Sequence, residues 1–279
     1  MEQHGLDVTY CTDVCISEHP GVLLRHRALI GLDHDETWTN SERVGALRAL
    51  HSGVNMVFLG AATLVRHARL QSSQLGMDRE EVDYRDAIED PLDGLGNPMQ
   101  VTGNTWSSAL TNWDSSSFVG QSYSGFLRPD VPNAPLVVWD DSAWVFKGTS
   151  LVRGQSIPAV IGSDIDHIDP FGPIPADLQV LAHSPIPLSE AYASQGRWDG
   201  VTYSDMTYYT DLHSKAGVFD SGDNTWVGTL RACRPSATRC PRSLIRTMTG
   251  NLLWLFGQGP AGRFVPAVPN WRSVRPEGS

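Results

Sequence analysis

Nowhere does the sequence carry an apolar run near the roughly 20 residues that a bilayer-spanning helix needs, so no membrane span is expected. Positive charge is scarce: 21 Lys and Arg stand against 31 Asp and Glu, for a formal net charge of -10. With no basic stripe to displace counterions from a phosphate backbone, nucleic acid is excluded as a partner. The opening MEQHGLDV has no basic segment followed by an apolar one, so no leader peptide is read and a cytoplasmic protein is expected. Cysteine is sparse as well. Cys11, Cys15, Cys233 and Cys240 form no CxxC and have no His at zinc-finger spacing, which argues against structural zinc. Cys233 and Cys240 flank RPSATR and could close a small disulfide if an upstream signal peptide sent the protein out of the cell; two unpaired thiols is the favoured reading.

Familiar catalytic frames are missing too. GxxxxGK[ST] and GxGxxG phosphate loops are absent. A nucleophile elbow needs Ser or Cys at a strand-to-helix turn, but the turn after residues 54–60 offers Ala61, Ala62 and Thr63. GQSYSG at residues 120–125 has the wrong spacing and no strand-turn-helix pattern around it. A Ser or Cys hydrolase is therefore disfavoured.

What is present reads as a globular α/β chain. Its 279 residues are 41% apolar and 19% charged, enough to bury a core. It is read as one domain in three parts: an α/β core over 1–75, a strand- and loop-rich stretch over 76–235, and a C-terminal helix within 236–262. Residues 6–10 (LDVTY), 28–32 (ALIGL) and 54–60 (VNMVFLG) are expected as neighbouring parallel strands, because near-continuous apolar runs suit strands covered on both faces. Between the last two lies a helix over about 39–52. Thr39 and Glu42 fit a capping box, Val44, Leu47 and Leu50 recur at helical spacing, and Gly53 suits its end. Residues 216–230 read as two strands joined by a polar turn at Ser221, Gly222, Asp223 and Asn224. Leu244, Ile245, Met248, Leu252 and Phe256 mark a helix with Pro241 in its first turn. Trp139, Trp144 and Trp226 fall in strand patterns and are expected in packing roles.

Two acidic clusters bear on function. Asp33, His34, Asp35 and Glu36 end a core strand, where sites form in open α/β sheets. An imidazole and a carboxylate two residues apart can ligate a metal or move a proton; alternatively they form a polar strand end that caps the next helix. Asp164, Asp166, His167 and Asp169 lack the Gly and terminal Glu of an EF-hand and, between Gly and Pro, read as a solvated loop.

The chain also resembles, along nearly its whole length, the C-terminal region of the large (beta) subunit of N,N-dimethylformamidase. The resemblance lies in LDVTYCTD (6–13), DHDETW (33–38), GVNMVFLGAAT (53–63), REEVDYRDAIEDP (79–91), WVFKGTSL (144–151), AGVFDSGDNTW (216–226) and NLLWLFGQGPAG (251–262). It implies a core similar to class I glutamine amidotransferase domains, a flavodoxin-like parallel sheet, without their catalytic Cys. It further implies hydrolysis of simple N-substituted amides by an iron held by two tyrosinates and a glutamate. The family's Gly-His-Asp-Glu-Tyr-Trp run falls on DHDETW, which makes Glu36 the iron ligand and His34 the adjoining proton-transfer residue. The two tyrosine ligands lie upstream in the family, so its N-terminal part reads as missing and this chain alone is not expected to retain iron. Asp33, Thr37 and Ala62 stand where relatives usually carry Gly, Tyr and Asn. The implied partners are a small amide substrate and further subunits, as a homo-oligomer or with a small subunit. The alternative is a non-catalytic scaffold or binding relative that has lost the iron site. A weaker third reading, from the Trp-rich middle, is a secreted carbohydrate-associated module.

Overall fold

A computed structural model describes residues 1–2, 5–103, 113–169, 172–193, 200–231 and 241–274. Its strands, in chain order, are β1 (Ala28–His34), β2 (Thr37–Thr39), β3 (Asn55–Ala61), β4 (Arg66–Ser73), β5 (Gly76–Val82), β6 (Ser122–Leu127), β7 (Ala134–Val137), β8 (Ser156–Ile161), β9 (Asp164–His167), β10 (Gln179–Pro187), β11 (Ala191–Ala193), β12 (Val201–Thr210) and β13 (Gly217–Asp220). The helices are α1 (Asp13–Glu18), α2 (Asn40–His51), α3 (Ser116–Val119), α4 (Trp226–Thr229) and α5 (Arg242–Phe256).

The main sheet runs β1-β3-β13-β12-β10. β1 and β13 lie parallel to β3 on its two sides, while β12 and β10 join antiparallel. The expected parallel pair joined by a helix is therefore present, and the sheet as a whole is mixed. Every residue of β3 is buried, and period-two alternation splits its side chains between the faces. Met56 and Phe58 pack with Ala46, Ala49 and Leu50 of α2, whereas Val57 and Leu59 join the core of Ile245, Met248, Leu252 and Phe256 from α5. This double covering explains the near-continuous apolar run.

α2 starts as its sequence predicts, with the Thr39 hydroxyl accepting from the Glu42 backbone N–H at 3.1 Å. Its buried face differs from the expected one. Val44 is 48% exposed, while Glu42, Arg43, Gly45, Ala46 and Ala49 face inward. The small residues let the helix approach Pro20 closely, since a Cβ at Gly45 would collide with that ring.

Three further expectations are corrected. Residues 6–10 are not a strand; they have no regular structure, pair with no strand among the described residues, and leave Tyr10 76% exposed. The segment after β13 is no second strand: its polar residues are buried, and it turns into α4 with Trp226 fully enclosed. Trp144 sits in a 3-10 turn rather than a strand, yet it packs against Tyr208, Phe219 and Phe256 as its packing role required. Cys11 and Cys15 are free thiols, and Cys233 and Cys240 lie outside the described residues.

Candidate functional site

The parallel register brings His34, the last residue of β1, opposite Ala61 of β3. A Cβ at Gly60 would run into the Asp33 carbonyl oxygen, so glycine permits the close approach of the two strand ends. Asp33 and Ala62 both take left-handed backbone angles, φ 64 and 57, and turn the chain away at this edge.

Against these ends lies β9, the segment expected to be a solvated loop. It is the edge strand of the β11-β6-β9 sheet, paired with β6, and its Asp166 and His167 are almost fully buried. The sequence cluster 33–36 and the cluster 164–169 are thereby brought together. His34 Nε2 lies 2.9 Å from Asp164 Oδ2, with the imidazole about half exposed. The same oxygen accepts from Asn224 Nδ2 at 2.8 Å, and the Tyr123 hydroxyl donates to the carboxylate. Burial pushes the Asp164 carboxyl up, while His34, Tyr123 and Asn224 pull it down. Tyr123 is pushed up to about 12, first by burial and then by the negative charges of Asp164, Glu36 and Asp166.

Behind the His–Asp pair the backbone is held by side chains. Asn224 Oδ1 accepts from Ala61 N at 2.5 Å, and Asp166 Oδ1 accepts from Ala62 N at 2.9 Å. Asp166, Asp220 and Asp223 are all buried within mutual electrostatic reach, and burial raises each. Asp166 and Asp223 reach about 7.

Glu36 lies at the open side of this edge. Its carboxylate is 43% exposed and sits 3.5 Å from Arg66 Nε, whose guanidinium also reaches Asp83 at 3.1 Å. Asp35 points the other way, over Gly31, and accepts from Trp38 Nε1 at 2.8 Å. Burial brings Asp35 to about 6.

An iron bound through Glu36 would need several more anionic or imidazole donors around that carboxylate. Among the described residues no group of three or more His, Cys, Asp or Glu side chains is placed to hold a metal ion. Arg66, a cation, is the group that faces Glu36. The described residues therefore do not by themselves fit an iron site.

Sequence reasoning named Asp164 but read it as part of a solvated loop, took Asn224 for a turn residue, and missed Tyr123. The alternation Asp-Ile-Asp-His at 164–167 was the available signal for β9, masked by Gly and Pro on its flanks. No local signal distinguishes Asn224 from an ordinary turn residue.

The chain is a mixed α/β protein in which the His34–Asp164 contact lies at the carboxyl ends of the parallel strands β1 and β3. More particularly, the chain belongs to the N,N-dimethylformamidase beta subunit-like, C-terminal family, whose description matches residues 1–240. A search of curated proteins gave no match. No helix among the described residues is long and apolar enough to cross a membrane.

Proposed function

We propose that this chain supplies the proton-transfer half of an amidohydrolase site acting on simple N-substituted amides, with His34 as the general base and acid. The observation that carries this reading is the 2.9 Å His34–Asp164 contact at a half-exposed strand end. With the proton drawn to Nε2 by the Asp164 carboxylate 2.9 Å away, Nδ1 is left to take a proton from water as it attacks an amide carbonyl. Asp164 stabilises the imidazolium so formed, and the proton then passes to the departing amine. General acid–base transfer of this kind contributes about 10²–10⁴-fold in rate. Family membership supports the amide class, and the three parallel strands with α2 support a core related to class I glutamine amidotransferase domains.

Iron, with Glu36 among its ligands, remains part of the reading only with donors beyond the described residues. Metal analysis of the purified chain is expected to find iron well below one equivalent. Near-equimolar iron that is lost on Glu36→Ala would refute that expectation.

An activated amide such as formyl p-nitroanilide has a good leaving group and needs little electrophilic help, so it reports the proton-transfer half alone. The chain is expected to hydrolyse it, with His34→Gln reducing the rate at least about 100-fold, within the usual range for a general base. The His51–Asp211 pair, at 3.0 Å through Nδ1 with His51 half exposed, is a His–Asp contact elsewhere on the chain, and His51→Gln serves as the control. A second reading, a scaffold without chemistry, is favoured by Arg66 against Glu36 and by the bare methyl of Ala62. An anilide rate that His34→Gln leaves unchanged would select it.

A further inference from the structure

We infer that Asn224 is a positioning residue for His34, acting through Asp164. The inference rests on the proton-transfer reading above and extends it to a residue outside both acidic clusters.

One amide spans three elements. Asn224 follows β13 and is only 7% exposed. Its Oδ1 accepts from Ala61 N at the end of β3, and its Nδ2 donates to Asp164 Oδ2 on β9. That Oδ2 is also the atom facing His34 Nε2 on β1. The amide orientation is fixed by its partners, because a backbone N–H demands the oxygen and a carboxylate demands the nitrogen. Asn224 thus sets the distance between the end of β3 and the Asp164 carboxylate. Asp164 in turn selects the His34 tautomer with the proton on Nε2, which leaves Nδ1 free to accept one.

The neighbouring groups make this role specific. Thr225 donates to Asp223, and Gly222 N donates to Asp220, so the loop around Asn224 is held by its own buried acids. Asp166 fastens the next residue, Ala62, by a separate bond. Loss of the Asn224 side chain therefore removes the link to Asp164 while the loop and the turn keep their other anchors. Tyr123 still donates to Asp164 from the opposite element, so the carboxylate is loosened rather than expelled.

The test measures His34 itself. Imidazole ¹⁵N shifts of the neutral ring in the full chain are expected to show mainly the Nε2–H tautomer. Asn224→Ala should shift the population toward a mixture, and lower kcat for formyl p-nitroanilide about tenfold with KM little changed, as expected for a group acting through its neighbour. In an Asp164→Ala background the same substitution should change neither quantity, since the coupling then has no carrier. Asn224→Asp keeps the acceptor for Ala61 and loses the amide donor, so it covers the case in which the alanine variant does not fold; it should show the same tautomer shift. An unchanged tautomer in both variants, or equal effects of Asn224→Ala with and without Asp164, would overturn the inference. Because the tautomer is read without turnover, absent anilide hydrolysis would fault the proton-transfer reading and leave the Asn224–Asp164–His34 linkage to be judged on its own.

Discussion

Asn55 shows how much a single buried side chain can hold. It is wholly enclosed at the start of β3, where Nδ2 donates to Phe256 O at 2.9 Å and Gly259 O at 2.7 Å. Its Oδ1 accepts from Gly217 N at 2.7 Å and Ala261 N at 3.0 Å, so β3, β13 and the end of α5 meet on one amide. Asn55→Ala would strand several backbone groups, each costing about 1–3 kcal/mol when buried and unpaired. A loss above about 3 kcal/mol in urea unfolding is expected on that basis, and a loss below about 1 kcal/mol would mean that water or repacking satisfies them. His34 and Glu36 were both legible as site candidates, yet the structure separates their circumstances: His34 gains Asp164, whereas Glu36 faces Arg66. Those partners come from residues far away in sequence, which is why spacing alone could not supply them.

At the scale of elements, α2 is the clearest case of sequence dictating structure. Its N-terminus rests on Thr39, whose hydroxyl caps Glu42 N and lies 2.7 Å from Ser17 Oγ of α1. Thr39→Ala is expected to destabilise the chain by about 1–2 kcal/mol, the usual cost of a lost N-cap, measured as a lower urea midpoint at unchanged slope. An unaltered midpoint would show that the cap is replaced. The cap, the helix and the β1–β3 pair were readable because propensity and periodicity are local properties, and α5 was readable for the same reason. Residues 6–10 and the segment after β13 misled because a short apolar or polar run says nothing about its pairing partner. LDVTY finds none among the described residues, while the DSGDN residues bury themselves against β9 and β3. Tertiary context also reversed the reading of β9, whose alternate polar side chains point inward to other polar groups instead of to solvent.

Across the whole molecule, the interior acids set the response to pH. Asp166 and Asp223 stand at about 7 when folded, Glu42 at about 9, and Asp220 is raised well above the ordinary carboxylate value, with burial the leading cause in each. These groups bind protons more tightly folded than unfolded. Their stabilising contribution is therefore complete below the unfolded value near 4 and is lost as pH rises through the folded values. Asp205 and Asp211 are lowered instead, and their contribution is lost only on acidification below about 4. The urea midpoint is thus expected to fall between pH 5 and pH 9, with Asp223→Asn flattening the slope near neutrality. A midpoint that rises over this range would mean that buried cations or water offset the acids.

The same sheet end gathers the acids, the Asn224 link and the His34–Asp164 pair, so the claim that this end performs chemistry is tested most directly at His34. The measurement is the rate of formyl p-nitroanilide hydrolysis by the chain, by His34→Gln and by His51→Gln, at neutral pH, with folding checked by thermal unfolding. The account predicts that His34→Gln loses at least about 100-fold, the lower end of general acid–base contributions, while His51→Gln matches the parent. Equal rates for the parent and His34→Gln, or no hydrolysis above buffer by the parent, would contradict it.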